Sequence, residues 1–228
     1  MAGARTGLSA PVALLGAQVC FTGRAEGDLR PVAPSGAARL SALAGRPVSW
    51  LRQVHGSGVV VVDGDQPVEG QDGDALVTAS PHVVLAVLTA DCAPIALSSP
   101  EGVVAAVHAG WGGLVDGVVE RAVEVMRELG ASRVEAGLGP CIHPGCYEFG
   151  AADLDRVAAV LGPSARAVTG SGAPALDLPA AVRAALAAAG AGLAWDTGTC
   201  TACVADALYS HRARRDPERQ AMLVWKHA

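Results

Sequence analysis

The chain has 228 residues, 51% of them hydrophobic and 17% charged, with a formal net charge of -5 at pH 7. That length is enough for one large domain with an ordinary core, and the acidic balance excludes the basic face by which proteins hold nucleic acid. No apolar run reaches the roughly 18 to 20 residues a membrane span needs, so no membrane partner is expected.

Arg5 and the apolar stretch from Pro11 to Val19 faintly imitate a secretory signal. One charge makes a minimal leader, however, and the segment runs into Cys20 and Phe21 as a strand would. Without an export signal, the six cysteines predict a reducing, cytoplasmic setting in which they bind metal, react or pack rather than form disulfides. A polar, Pro- and Gly-rich stretch from Gly23 to Gly36 predicts a surface loop after the first strand. Short β-type runs follow at Val59 to Asp63, Val83 to Thr89, Pro94 to Ser98, Val103 to His108 and Arg133 to Leu138. Their Val and Ala content points to strands buried on both faces. After Trp111, the residues Leu114, Val118, Ala122, Val125 and Leu129 repeat at helical spacing up to a stop at Gly130. Further helices are expected from Ala152 to Leu161, from Leu178 to Ala189 and, shorter, from Ala205 to Arg212, with a last strand from Ala221 to Trp225. Strands and helices mixed without strict alternation predict one α+β or mixed α/β domain over residues 1–228.

The chemistry concentrates in VVLAVLTADCAPIALSSPEGVVAAVHAG, from Val83 to Gly110. Two apolar runs flank a turn-forming cluster, Ser98 to Gly102, which reads as a hairpin. A turn centred near Pro100 pairs residues whose numbers sum to 200 and sets Cys92 opposite His108. Cross-strand Cβ atoms lie about 4.5 to 5.5 Å apart, close enough for a thiolate and an imidazole to share one ion. Pro94 argues for a bulge or edge just after the cysteine. His55, between the LRQV run and two glycines ahead of an all-valine strand, is the third candidate ligand. Two imidazoles and one thiolate leave a fourth position open, the mark of catalytic zinc, where water has its pKa lowered toward about 7. Asp91, next to Cys92, is the nearest carboxylate able to act as base or to orient a ligand.

Cys141 and Cys146 of GPCIHPGC, with Cys200 and Cys203 of GTCTAC, form a rival set in which four thiolates in two pairs hold structural zinc. A redox role for Cys200 and Cys203 has only part of the strand and helix context it needs. None of the six histidines is followed two residues later by Glu, which excludes the usual zinc base-deaminase signature. No G-x-S-x-G, P-loop or G-x-G-x-x-G fingerprint occurs. SHRARR, Ser210 to Arg215, is a basic patch from which Arg212 can meet an anionic substrate group.

LRQVHG, DGDALVT (Asp72 to Thr78), TADCAPI, VHAGWGG, GPCIHPGCYEFG and CTAC followed by YSHR occur in this order, and together they resemble the YfiH family of laccase-domain purine nucleoside phosphorylases. The resemblance implies a layered sandwich of mixed sheets flanked by helices, with zinc on His55, Cys92 and His108. It implies phosphorolysis of purine nucleosides, with nucleoside and phosphate as the partners, or deamination of adenosine. Asp91 and Cys146 are then the expected catalytic groups, with Arg52, Tyr147, Glu148 and Arg212 on the substrate side. Editing of a peptidoglycan precursor, by removal of a wrong amino acid, is a second activity within the family. Copper-dependent phenol oxidation fits poorly because its centres need many more than six histidines. Two departures stand out: Gly112 replaces the arginine of the usual HAGWRG, and the aromatic-rich loop after the first strand is reduced to a short stretch after Arg24. Loss of the arginine weakens phosphate binding if that group holds phosphate, and a zinc protein of reduced activity is the alternative of another class.

Overall fold

The structure is a computed structural model in which residues 11–227 are described; Arg5 of the signal-like segment lies outside the described residues. The chain opens on β1 (Val12–Leu14) and β2 (Ala17–Phe21), followed by α1 (Gly36–Ala44), β3 (Val48–Arg52), β4 (Val59–Val61), β5 (Glu69–Asp72) and β6 (Ala75–Thr78). Next come β7 (Val84–Thr89), β8 (Ala93–Ser98), β9 (Val104–Ala109), α2 (Trp111–Val115), α3 (Val118–Glu128) and β10 (Glu135–Leu138). The remainder holds α4 (Ala151–Leu161), β11 (Arg166–Val168), β12 (Pro174–Leu176), α5 (Leu178–Ala188), β13 (Gly192–Asp196), α6 (His211–Arg214) and β14 (Gln220–Lys226). The signal-like stretch is thus the β1–β2 hairpin, and none of the described helices is long and apolar enough to cross a membrane.

Two mixed six-stranded sheets form the frame, ordered β1-β2-β14-β7-β3-β5 and β13-β10-β8-β9-β6-β4. Side chains alternate faces along a strand, so each apolar run feeds two cores. On β7, Leu85 and Val87 join Met222 and Val224 of β14 between the sheets, against Ala96, Val104 and Ala106 of the second sheet. The alternate residues Val84, Ala86 and Leu88 pack outward with Leu40 of α1. The outer face of the second sheet, through Ile95, Leu97, Ala105 and Val107, is covered by α3, α4 and α5 via residues such as Ala122, Met126, Leu154 and Val182. The result is the helix, sheet, sheet, helix sandwich expected, with strands buried on both faces as their composition requires.

The predicted hairpin exists as β8 and β9, but its partners sum to 202, placing His108 opposite Pro94 rather than Cys92. The turn is centred on Glu101 because Gly102, at φ 80, takes the left-handed position and donates its N–H back to Ser99 O. A shift of two residues keeps every side chain on its face, so Cys92 and His108 become diagonal neighbours on one side. Pro94 is the second residue of β8, and the pairing carries no bulge there. The expected helix after Trp111 is two, broken where Gly117 turns left-handed at φ 81. The short helix expected over Ala205–Arg212 lies further on: residues 205–207 form a turn and α6 begins at His211. Ser210 caps α6 by accepting the Ala213 N–H, and that cap sets its start.

Candidate metal centre

The site lies where β3, β7 and β9 end. Beyond β3, the Gln53 side-chain amide donates to Leu88 O and accepts from Leu88 N–H, at 2.7 and 2.8 Å, so a side chain extends the pairing with β7. The chain then wraps round Asp74, a fully buried carboxylate that accepts the N–H groups of Val54, His55 and Gly56 at 3.3, 2.9 and 2.8 Å. His55 takes φ 62 to do so, a left-handed conformation that costs a non-glycine residue about 1 kcal/mol and persists because Asp74 holds it.

Asp74 also meets His108 Nδ1 at 2.8 Å. Burial alone raises its pKa, but the His108 contact and the Gly56 N–H outweigh that and hold it below the ordinary carboxylate value. An ionised carboxylate only accepts, so the Nδ1 proton is fixed and His108 Nε2 is left to a ligand. His108 shares the parity of Val104 and Ala106 on β9 and so faces the gap between the sheets.

The chain crosses from one sheet to the other between Thr89 and Ala93. Asp91, at φ 116, makes the corner. Its buried carboxylate accepts from Thr201 Oγ1, Ser210 Oγ and Arg212 N–H at 2.6, 2.7 and 2.6 Å, and its carbonyl accepts from Ile142 N–H. These bonds hold the strained corner and aim Cys92 at the two histidines. The imidazole centroids of His55 and His108 are 4.8 Å apart at 81°, and one donor atom each from His55, Cys92 and His108 all lie within 4.8 Å of one another.

Burial pushes the Cys92 thiol up, but the His108 charge and hydrogen bonds from His108 and His55 bring it down to about 6. Burial conversely lowers His108, while the Cys92 charge and the Asp74 bond lift it to about 9. Metal-free protein therefore carries a thiolate beside an imidazolium at neutral pH, and alkylation of Cys92 by iodoacetamide is expected to accelerate as pH rises through about 6. Peptide mass spectrometry of the alkylated chain checks this; a midpoint at the ordinary thiol value near 8.5 contradicts it.

Two imidazoles and a thiolate, one imidazole backed by a carboxylate, fit zinc and not calcium or magnesium, which require oxygen donors. Three glycines let the site close, Gly110 beside the donor side chains and Gly112 and Gly113 against the backbone of the His55 loop. A Cβ at Gly110 would lie 3.0 Å from His55 Cδ2 and 3.3 Å from Cys92 Sγ; one at Gly112 would lie 3.2 Å from His55 O, and one at Gly113 2.8 Å from Gly56 O.

The three residues line a cavity of about 380 Å³ together with Arg30, Gln53, Asp91, Tyr147, His211, Arg212 and Arg219. Arg30 is committed to Asp28 through Nε and Nη2. Arg212 stacks 4.8 Å over the Tyr147 ring and donates to Glu148 O, while Arg219 donates to the carbonyls of Asp216, Pro217 and Glu218. Among the described residues, neither Arg212 nor Arg219 has a carboxylate partner, so both carry unneutralised charge into the cavity. Burial raises the Tyr147 phenol well above its ordinary value, keeping it a hydrogen-bond donor.

The sequence-expected ligands thus converge, and Asp91, Tyr147 and Arg212 stand beside them. Three expected residues do not line the cavity: Arg52 is exposed and paired with Asp72, Glu148 is exposed and offers its carbonyl, and Cys146 Sγ lies 3.5 Å from Cys203 Sγ. Sequence reasoning missed Asp74, Gln53, Arg30, His211 and Arg219. Asp74 had a signal, a carboxylate set directly before the wholly buried strand β6; Arg30 and Arg219 had none, coming from a loop and the edge of β14.

Comparison with known proteins agrees with this frame. A protein of Streptomyces coelicolor named purine nucleoside phosphorylase is 47% identical over 184 residues, covering 78% of this chain and 74% of that one. One of the same name from Mycobacterium tuberculosis is 42% identical over 206 residues, 87% of this chain and 81% of that one. Among solved structures, a Neisseria meningitidis protein of the DUF152 family superposes with a TM-score of 0.80 at 27% identity, covering 95% and 96% of the two chains. YlmD from Geobacillus stearothermophilus gives 0.80 at 26% identity, covering 93% of each. Residues 23–227 match the family model described as multi-copper polyphenol oxidoreductase laccase, and the chain belongs to this laccase-like YfiH family.

Proposed function

We propose that the chain is a zinc-dependent purine nucleoside phosphorylase working in the cavity of His55, Cys92 and His108. The observation that carries this reading is the joint presence, in one cavity, of a three-donor metal set and two arginines that have no carboxylate partner among the described residues. The close relatives named purine nucleoside phosphorylase support it.

Phosphorolysis brings a phosphate oxygen to C1′ of the ribose and breaks the bond to the base nitrogen; the base leaves with the electron pair and takes up a proton, and ribose 1-phosphate forms. Arg212 and Arg219 hold the phosphate, and their fixed charge offsets its own without a proton transfer. Gly112 does not remove this function, because the two arginines come from other elements. Tyr147 and His211 are O–H and N–H donors facing the same space, placed to hold the base and deliver its proton. Asp91 acts through others: its carboxylate is filled by Thr201, Ser210 and the Arg212 N–H, and it positions Arg212 and Cys92. His55, Cys92 and His108 would hold a zinc ion, which when bound would supply Lewis acidity to the cavity.

Metal-loaded protein incubated with adenosine, inosine or guanosine is expected to release free base and ribose 1-phosphate only when phosphate is present, followed by chromatography. Inosine formed from adenosine without phosphate reads deamination in the same runs. Failure to turn over any purine nucleoside sinks the reading. Arg212→Ala is expected to raise KM for phosphate by about 10- to 100-fold, since a charge-assisted hydrogen bond contributes about 1.5 to 3 kcal/mol. An unchanged KM removes Arg212 from the phosphate site.

A further inference from the structure

Of the five cysteines outside the catalytic cavity, four come from two segments distant in sequence, and the fold separates them three to one. Cys141 is buried in the helix-covered core, and burial pushes its thiol far up. Cys146, Cys200 and Cys203 instead turn their sulfurs to one point, all within 4.8 Å of one another.

We propose that Cys146, Cys200 and Cys203 form a second, thiolate-rich metal site that takes zinc, separate from the His55 centre. Three features carry this. Tetrahedral zinc with bonds of about 2.3 Å sets its sulfurs about 3.8 Å apart, and Cys146 Sγ and Cys203 Sγ are 3.5 Å apart, so small adjustments suffice. A disulfide needs about 2.0 Å and uses only two of the three sulfurs. Cys200 and Cys203 are a C-x-x-C pair in a tight turn, closed by the Cys203 N–H on Cys200 O, the spacing by which one turn gives two ligands to zinc. The His143 N–H donates to Cys200 Sγ at 3.4 Å, from the same loop that supplies Cys146; a sulfur so bonded is oriented as metal ligands are by their surroundings. Cys203 is exposed and Cys146 half-buried, so the cluster is open to an entering ion, and soft thiolates select zinc over magnesium or calcium.

The position gives the site a role. Cys146 precedes Tyr147 of the catalytic cavity. Thr201, between the other two ligands, bonds Asp91, and Arg214 ties down the carbonyls of Thr201 and Ala202. An ion here clamps the loop that carries Tyr147 of the cavity to the loop whose Thr201 holds Asp91.

The test uses full-length protein in which His55→Ala and Cys92→Ala remove the first centre. After loading with zinc and dialysis, this variant is expected to retain about one ion per chain by elemental analysis, and to lose it when Cys200→Ser or Cys203→Ser is added. Cobalt in place of zinc is expected to give intense thiolate charge-transfer absorption in the near ultraviolet that the serine variants lack. Zinc is expected to raise Tm in the first variant and not after Cys203→Ser, an exposed change that leaves the fold intact by circular dichroism. A folded first variant that binds no zinc or cobalt overturns the proposal, as does metal retained after the serine changes or a Cys146–Cys203 disulfide in protein purified under reductant.

Discussion

Chains carrying Cys92→Ala, His108→Ala or His55→Ala are expected to lose the metal of the first centre and at least about a thousandfold in turnover. Lewis-acid stabilisation is worth several kcal/mol, and about 4 kcal/mol corresponds to about 10³ in rate. Removing one of three protein donors leaves too few to hold the ion against solvent. His55→Ala is the cleanest of the three. Its side chain is exposed, and the Asp74 bond that fixes the loop is made by its backbone N–H, so the scaffold survives. His108→Ala removes in addition a buried partner of Asp74. Elemental analysis and steady-state kinetics on protein with wild-type circular dichroism decide the matter; near wild-type turnover in the His55→Ala chain contradicts the assignment.

Asp74→Asn is expected to weaken metal affinity by about 10- to 100-fold, because the carboxylate that fixes the His108 tautomer and raises its basicity is gone. Asp74→Ala goes further and leaves three backbone N–H groups and an imidazole without their acceptor. Each unsatisfied buried group costs about 1 to 3 kcal/mol, so a loss of several kcal/mol and a fall in Tm of about 10 °C or more are expected for a chain of this size. The pH dependence has a definite sign. Asp74 is lowered from an ordinary value of 3.8, so its contribution is full above that value and is lost as pH falls through the lower folded value. The stability gap between wild type and Asp74→Asn, measured by denaturant unfolding of metal-free protein, is therefore expected to close in acid below about pH 4, and, because the Asp74 bond also helps raise His108, to narrow as pH rises from the ordinary histidine value of 6.5 through about 9. A gap that widens in acid contradicts the role given to Asp74.

Strands β7 to β9 were legible because their apolar runs are long, bounded by turn formers and buried on both faces, so local composition and tertiary demand agree. Helices α4 and α5 fell within a residue of their expected ends for the same reason, an apolar stripe at helical spacing closed by glycine. The hairpin register slipped by two because a single left-handed glycine, Gly102, moved the centre of the turn, and residue types alone do not reveal which glycine in a turn takes that conformation. The start of α6 was missed because its cap, Ser210, is chosen by a buried bond to Asp91, 119 residues earlier in the chain.

By itself the sequence determined the element types and the burial of the central strands, and it singled out Cys92 and His108 by hairpin spacing and His55 mainly by family resemblance. These depend on side-chain periodicity and on donor chemistry, both written along the chain. Only the tertiary structure decided that Asp74 backs His108, that Arg219 joins Arg212 in the cavity, and that three cysteines converge while Cys141 is left in the core. Such partners are set by how one sheet packs on another and where loops from separate strands meet. The physical reason is that burial of apolar faces positions whole elements, and the polar groups at their ends are brought together as a consequence that no local pattern encodes.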